Sequence, residues 1–338
     1  MIRKILLSLS LIFAVLYSCT WFYASVHYKK LIKKSIEKIN SEHLNFSYDE
    51  LHVKNFPFSP TINIDHPKLI FTNKNQTNIY KFDQLNICSN LLLNKFDIKL
   101  SKEIIHETGD QKYIVQYNEP VGINIAIHKT LLFKNLADSL TMLKLLKNIN
   151  FVAKDFTIND KDSNNIIYKY DYNKFHISHD ISNFNHSILF TSNIKGTSQT
   201  ASDGLGPQEF NLKVNLKLKA NPKNIQEFNE YDIDFENMSF TSEKFNINIQ
   251  GNGKGTENDI LPSGEIKITI NKLYNLLNYL SVNNIIKNEN KILSIVEQTA
   301  DKTDENETLL TIKRQEKGNF YLGNLTFSHI LFSLIGSN

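Results

Sequence analysis

The chain has 338 residues, 41% of them hydrophobic and 22% charged, which is enough apolar material for a sizeable core and excludes a disordered protein. Residues 1–40 carry seven basic side chains and one acidic one, a net +6; since the whole chain carries +3, the remainder carries −3. This mildly acidic body argues against nucleic-acid binding, and two cysteines exclude a disulfide framework and a cysteine-rich zinc site.

The N-terminus predicts a membrane segment. Arg3 and Lys4 precede an uncharged run, residues 5–26, which would span about 33 Å as a helix and match a hydrocarbon core of about 30 Å. Aromatic side chains at its far end are typical of the headgroup level. We interpret residues 1–26 as a signal-anchor helix, with anchoring side chains at Ile5, Ile12, Phe13, Val15, Leu16, Trp21, Phe22 and Tyr23.

Two other fates of this segment remain open. One is a cleaved signal peptide with residues 5–17 as its apolar region, and the other is a lipoprotein modified at Cys19. The positive-inside count favours a cytoplasmic body, because more lysines follow the span than precede it. A short basic start before an apolar run is nevertheless typical of export signals. We therefore expect a single-pass protein of the inner membrane with its body in the periplasm.

Residues 27–43 are predicted to form a basic amphipathic helix. Tyr28, Ile32, Ile36 and Ile39 recur at helical spacing, and the other positions carry Lys29, Lys30, Lys33, Lys34 and Lys38. Such a helix can lie on anionic headgroups. Alternatively, the apolar stripe packs on the protein core and the lysines are solvated.

Residues 44–338 are predicted to form one β-rich domain, and a second subdivision near residues 200–207 is left open. Apolar and polar residues alternate in five clear runs, which indicates antiparallel strands with one wet face: residues 61–65, 122–127, 210–219, 245–250 and 265–270. Glycine-rich segments between runs, including 251–255, are interpreted as turns. Residues 131–148 and 272–299 have helical spacing, the second as two helices. The predicted fold is mainly β: a large curved antiparallel sheet, sandwich- or groove-like, with a few packing helices.

The sequence has no recognisable catalytic, cofactor or metal motif. The acidic run from Asp160 to Asp171 imitates the spacing of a calcium loop but lacks its glycine, so we interpret it as a polar hairpin tip. His176, His179 and His186 are expected to be isolated surface histidines, since positions three apart on a strand face opposite sides. Cys88 is interpreted as a small buried hydrophobe.

Residues at both ends resemble one bacterial family. Tyr48-x-x-Leu51-x-Val53-x-Asn55-Phe56-Pro57-Phe58 is similar to a Y-x-x-L-x-V-x-G-F-P-F strand and turn, and Asp65-His66-Pro67-Lys68-Leu69 to the N-P-x-L element after it. These motifs, with residues 262–270 and 318–323, resemble the family of domain of unknown function 2125, which implies an alphaproteobacterial envelope protein without an assigned activity. Asn55 replaces the family's glycine but also tolerates a positive φ. Phe56, Pro57 and Phe58 are expected to form a structural turn.

A dozen strands with one apolar face each expose more apolar area than a few helices can cover. The sheet must therefore pack on itself, pack under the helices, or leave a groove for a hydrophobic ligand. We expect a non-catalytic envelope protein that binds or organises lipid or lipoprotein through such a groove. The alternatives are a scaffolding partner of other envelope proteins and, third, an enzyme of unknown type.

Overall fold

A computed structural model describes residues 18–326, with gaps at 20–21, 24, 27–28, 31, 35, 39, 42, 56–58, 74–75, 91–93, 129–145, 164, 183–184, 200–204, 221–227, 257–258, 260–261, 284, 287, 304–305, 316–317 and 324. The fold is mainly β and antiparallel, as the alternation predicted. All five predicted strands are present. The chain divides into two compact units, residues 1–167 and 168–338, where the sequence analysis expected one β-rich domain.

Unit 1 is an antiparallel meander. Its strands are β1 Leu44–Ser47, β2 Glu50–Lys54, β3 Thr61–Asp65, β4 Lys68–Asn73, β5 Gln76–Phe82, β6 Gln84–Ser89, β7 Lys95–Leu100, β8 Glu103–Thr108, β9 Gln111–Tyr117, β10 Gly122–Ile127 and β11 Leu146–Asp160.

Consecutive strands of unit 1 act as the two halves of longer, interrupted strands. The β1–β2 segment pairs with β3–β4, which pairs with β5–β6, and the pattern continues through β7–β8 and β9–β10 to β11. The interruptions of neighbouring long strands lie side by side, at the same level across the sheet. Positive φ angles at His66, between β3 and β4, and at Asp155, within β11, mark this level, and bulges of this kind bend a sheet.

Unit 2 contains longer strands and two α-helices. Its elements are β12 Ile166–Ser182 (from residue 168), β13 Asn185–Ser198, β14 Pro207–Ala220, β15 Phe228–Thr241, β16 Asn246–Thr256, β17 Ser263–Asn271, α1 Leu273–Val282, α2 Glu289–Thr299, β18 Lys302–Thr303, β19 Glu307–Arg314, β20 Phe320–Leu322 and β21 Leu325–Thr326. The strands pair in chain order from β12 to β17, and β17 then pairs with β19.

The two helices predicted within residues 272–299 are confirmed as α1 and α2. They cover one end of the unit 2 sheet. Their side chains Leu273, Leu276, Leu277 and Val296 share a buried cluster with Ile270 and Leu310 from the strands and with Phe245, which directly precedes β16. The other helical prediction, residues 131–148, lies mostly outside the described residues. It was wrong for residues 146–148, which begin β11.

The prediction of a turn at residues 251–255 was wrong, because these residues continue strand β16. The glycines there serve close backbone contact. A Cβ on Gly251 would lie 2.7 Å from the Cα of Ile266 on β17, and a Cβ on Gly255 would lie 2.5 Å from the ring of Tyr231 on β15. Glycine in a strand often marks such a close approach.

Candidate functional site

The predicted membrane anchor lies mostly outside the described residues, which omit Ile5, Ile12, Phe13, Val15, Leu16 and Trp21. Phe22, Tyr23 and Cys19 are described; they are helical and exposed. Within the part of the chain that the structure describes, no helix combines the length and apolar character that crossing a membrane requires.

The described residues between 18 and 38 are helical, and this segment contacts the core of unit 1. Ile32 and Ile36 pack against a buried cluster of Leu51, Ile62 and Ile64. The apolar stripe of this helix therefore packs on the protein core, which is the alternative to membrane-surface binding that the sequence left open. Lys30, Lys33, Lys34 and Lys38 are exposed and Lys29 is half-buried, so packing of the stripe leaves most of the positive charge at the surface.

Unit 2 carries three cross-strand rows of side chains on one face of strands β12 to β16. We call these fifteen residues the apolar face. The register aligns them as Ile177–Phe190–Val214–Phe235–Gly251, His179–Ile188–Leu216–Ile233–Gly253 and Ile181–His186–Leu218–Tyr231–Gly255. Apart from Leu189 on β13, the residues that alternate with them along each strand are polar or charged, as expected for a sheet with one wet face.

The helices of unit 2 do not contribute to the apolar face. None of its fifteen residues belongs to the cluster under α1 and α2, which draws its strand residues from the other end of the sheet. Ile188 and Val214 are buried, most of the others are half-buried, and Ile181 is 43% exposed.

The wet face of the same strands carries paired charges. Lys219 Nζ lies 3.2 Å from Glu230 Oε2 across β14 and β15, and Lys213 pairs with Glu236 further along. Asp232 and Asp234 are exposed on this side. The two sides of one sheet therefore differ sharply in polarity.

A buried histidine pair interrupts the apolar face. His179 and His186 are only 1% and 4% exposed, with Nε2 of His179 2.8 Å from Nδ1 of His186. The prediction of isolated surface histidines was therefore wrong for these two. It failed because the β12–β13 hairpin makes them diagonal neighbours on one face, which spacing along a single strand does not reveal. His176 does face the opposite side, as the strand period predicted.

A cleft of about 390 Å³ lies next to the third row, on the wet face of the sheet. Seven of its ten lining residues alternate along the strands with His186, Leu218 and Tyr231 of the third row and so belong to the wet face: Asp180, Asn185, Ser187, Lys217, Lys219, Glu230 and Asp232. The cleft therefore has a mainly polar lining with charges of both signs, and it does not open onto the apolar face.

Unit 1 carries an aromatic row of its own across β4, β5, β8 and β9. The ring of Tyr80 stacks on His106 with centroids 4.5 Å apart, and Phe71 and Tyr113 extend the row on either side. Burial lowers the pKa of His106 from its ordinary value of 6.5. Burial also raises the pKa of Tyr117, at the end of β9 against the ring of Phe156, to about 12.

The remaining predicted residues have clear positions. Asp160 begins a polar hairpin tip, where its Oδ1 accepts hydrogen bonds from the backbone of Asp162 and Ser163, so the hairpin interpretation is confirmed. Asn55 has the positive φ of 57° that the turn requires, and Phe56, Pro57 and Phe58 lie outside the described residues.

The prediction for Cys88 was wrong, because its side chain is only half-buried. It lies on the polar side of β6, opposite Thr61 and Asp97, and Thr61 Oγ1 lies 3.6 Å from its Sγ.

Comparison with known protein families found no matching family model, and comparison with curated proteins found no significant match. The resemblance to the family of domain of unknown function 2125 therefore stays a prediction.

Proposed function

We propose that this protein is a non-catalytic envelope protein that binds or organises lipid, or the lipid of a lipoprotein, through the apolar face of unit 2. Residues 5–26 anchor it by a single span in the inner membrane, and the body lies in the periplasm. This assignment agrees with the resemblance to the family of domain of unknown function 2125.

The observation that carries the proposal is the apolar face itself. Three rows in register place apolar side chains across neighbouring strands, and the helices of unit 2 pack elsewhere on the sheet. Acyl chains are the apolar ligand that a membrane-anchored protein meets at the highest concentration. Burial of a chain against such a face contributes about 0.8 kcal/mol per CH₂ group.

The exposed lysines of residues 27–43 add a contact with the membrane surface in this proposal. Lys33, Lys34 and Lys38 project from a helical segment whose apolar stripe is already occupied by the core of unit 1. Their contribution is electrostatic attraction to anionic headgroups.

Site-specific photo-crosslinking tests the function. A benzophenone amino acid replaces Ile233 on the apolar face in one variant and its neighbour Asp234 on the wet face in the matched control. We expect lipid adducts in cells from position 233 and few from position 234.

Equal lipid labelling at positions 233 and 234 contradicts the proposal, because ordinary membrane proximity would then explain both. Adducts with other envelope proteins at position 233, without lipid, favour the scaffolding alternative instead.

A further inference from the structure

The hairpin of β2 and β3 in unit 1 brings three metal-ligating side chains together. Glu50 and His52 are two residues apart on β2 and so share one side of the strand, and Asp65 lies directly opposite Glu50 on β3. The other side of the same hairpin carries Leu51 and Ile64 of the buried core. The three polar side chains therefore stand on the solvent side of a strand pair fixed by its core.

The distances within this group suit one cation. His52 Nε2 lies 2.8 Å from Glu50 Oε2 and 3.7 Å from Asp65 Oδ2, and the three ligand atoms all lie within 4.8 Å of one another. A tetrahedral Zn²⁺ with bonds of about 2.0–2.2 Å holds neighbouring ligand atoms about 3.3–3.6 Å apart. Small rotations of exposed side chains reach that geometry, since Glu50 is 68% and His52 47% exposed.

The charges of the group also favour a cation. The two carboxylates face the same point, and no Lys or Arg in the described part of the chain forms an ion pair with either; their charged contact there is His52. A divalent cation would balance both negative charges while the imidazole supplies a neutral nitrogen ligand.

Two neighbouring amides supply the outer contacts that a metal site needs. Gln84 Nε2 on β6 lies 3.3 Å from Asp65 Oδ1, which orients that carboxylate and leaves Oδ2 toward His52. Asn63 lies directly opposite His52, and its Oδ1 is buried without a hydrogen-bond partner. A water molecule on the metal can donate to that oxygen, because buried polar atoms require a partner.

We propose that Glu50, His52 and Asp65 bind a divalent first-row transition metal ion of the zinc class, with water in the remaining position. One nitrogen and two oxygen ligands suit Zn²⁺ and its neighbours, whereas Ca²⁺ and Mg²⁺ prefer oxygen alone. The metal site shares no residue with the apolar face, so its test does not depend on whether the apolar face binds lipid.

Metal titration of the full chain in detergent tests the site. Isothermal titration with Zn²⁺ should show one site per chain, and Co²⁺ in its place should give a visible absorption band from its ligands. We expect His52→Ala and Asp65→Asn each to weaken Zn²⁺ binding by about 100-fold. Loss of a residue that only hydrogen-bonds to a metal ligand costs about 10- to 100-fold, and loss of a ligand itself should reach the upper end of that range. His43→Ala, which removes an exposed histidine elsewhere in unit 1, is the matched control and should bind as the unaltered chain does.

The proposed site is contradicted if the unaltered chain does not bind Zn²⁺. It is also contradicted if the chain binds one Zn²⁺ and His52→Ala and Asp65→Asn leave that binding unchanged. Binding of Ca²⁺ as tight as that of Zn²⁺ also overturns it, since His52 would then not be a ligand. Circular dichroism of each variant confirms that it is folded, and we expect this because all three ligands lie on the solvent side.

Discussion

His179 and His186 form a hydrogen bond inside the apolar face of unit 2, with 2.8 Å between Nε2 of one ring and Nδ1 of the other. The rings also stack, with centroids 5.0 Å apart. A buried imidazole nitrogen needs a partner, and this pairing satisfies one nitrogen of each ring within rows that are otherwise apolar.

Replacing one histidine of this pair should cost more than replacing both. His186→Phe keeps a ring of similar size but removes the partner of His179 Nε2, so we expect the free energy of unfolding to fall by about 1–3 kcal/mol. His179→Phe combined with His186→Phe should recover part of this loss, because two apolar rings leave no nitrogen of the pair buried. Urea unfolding of the unaltered chain, the single variant and the double variant measures the effect. If the second substitution lowers the free energy of unfolding by as much again as the first, the expectation is contradicted.

Gly251 should not tolerate a side chain, because a Cβ there would meet the backbone of β17. We expect Gly251→Ala to destabilise unit 2 by about 1–3 kcal/mol, as overpacking usually does. Gly122→Ala on β10 is the matched control, since a Cβ there meets nothing within 4 Å. Thermal unfolding and hydrogen exchange of β16 and β17 measure the difference; equal effects of the two substitutions would show that close approach is not the reason for glycine at position 251.

Acidification should weaken unit 1 through His106. Burial lowers the pKa of His106 below 6.5, so the unfolded chain binds a proton more readily than the folded one. The contribution of His106 to stability is therefore complete above pH 6.5 and is lost as the pH falls from there through the folded-state pKa.

The substitution His106→Phe tests this pH dependence. It keeps an aromatic ring against Tyr80 and should reduce the change in urea midpoint between about pH 7.5 and pH 5.5. Tyr80→Phe, which leaves His106 in place, should keep that change. The same pH dependence in the His106→Phe variant and the unaltered chain would exclude His106 as its source.

The lysines before β1 should be shielded by anionic lipid. In nanodiscs containing anionic lipid, we expect amine acylation of Lys33, Lys34 and Lys38 to slow about fivefold relative to neutral nanodiscs, because each lysine near such a surface gains about 1 kcal/mol. Lys254, exposed on the wet face of unit 2, is the control and should react equally in both. Mass spectrometry of the labelled peptides reads the rates, and no protection of the three lysines contradicts the proposed contact.

The sequence predicted those parts of the fold that depend on local pattern. Alternation identified five of the strands, helical spacing identified α1 and α2, and a positive φ at Asn55 was compatible with the turn motif. The failures depend on which strands are neighbours. Glycines at 251–255 look like a turn until β15 and β17 are placed beside them, and Cys88 looks buried until its side of β6 is known.

The same limit applies to the sites. Glu50 and His52 are thirteen or more residues from Asp65 in the chain, and only the register of the β2–β3 hairpin brings the three together. The pattern E-x-H is too short to stand out alone. Of the apolar face, the sequence predicted the apolar side of β14, because residues 210–219 alternate; the alignment of apolar rows across five strands depends on the register and was not predicted.

Lipid binding by the apolar face is best tested by identifying lipid on the purified protein. The full chain, extracted from membranes in mild detergent, is analysed by native mass spectrometry beside a variant with Leu218→Asp on the apolar face and a matched control with Lys217→Asp on the wet face. We predict bound phospholipid on the unaltered chain, loss of most of it with Leu218→Asp, and no loss with Lys217→Asp. An unaltered, folded chain that carries no more lipid than a detergent-extracted control protein would contradict lipid binding by the apolar face.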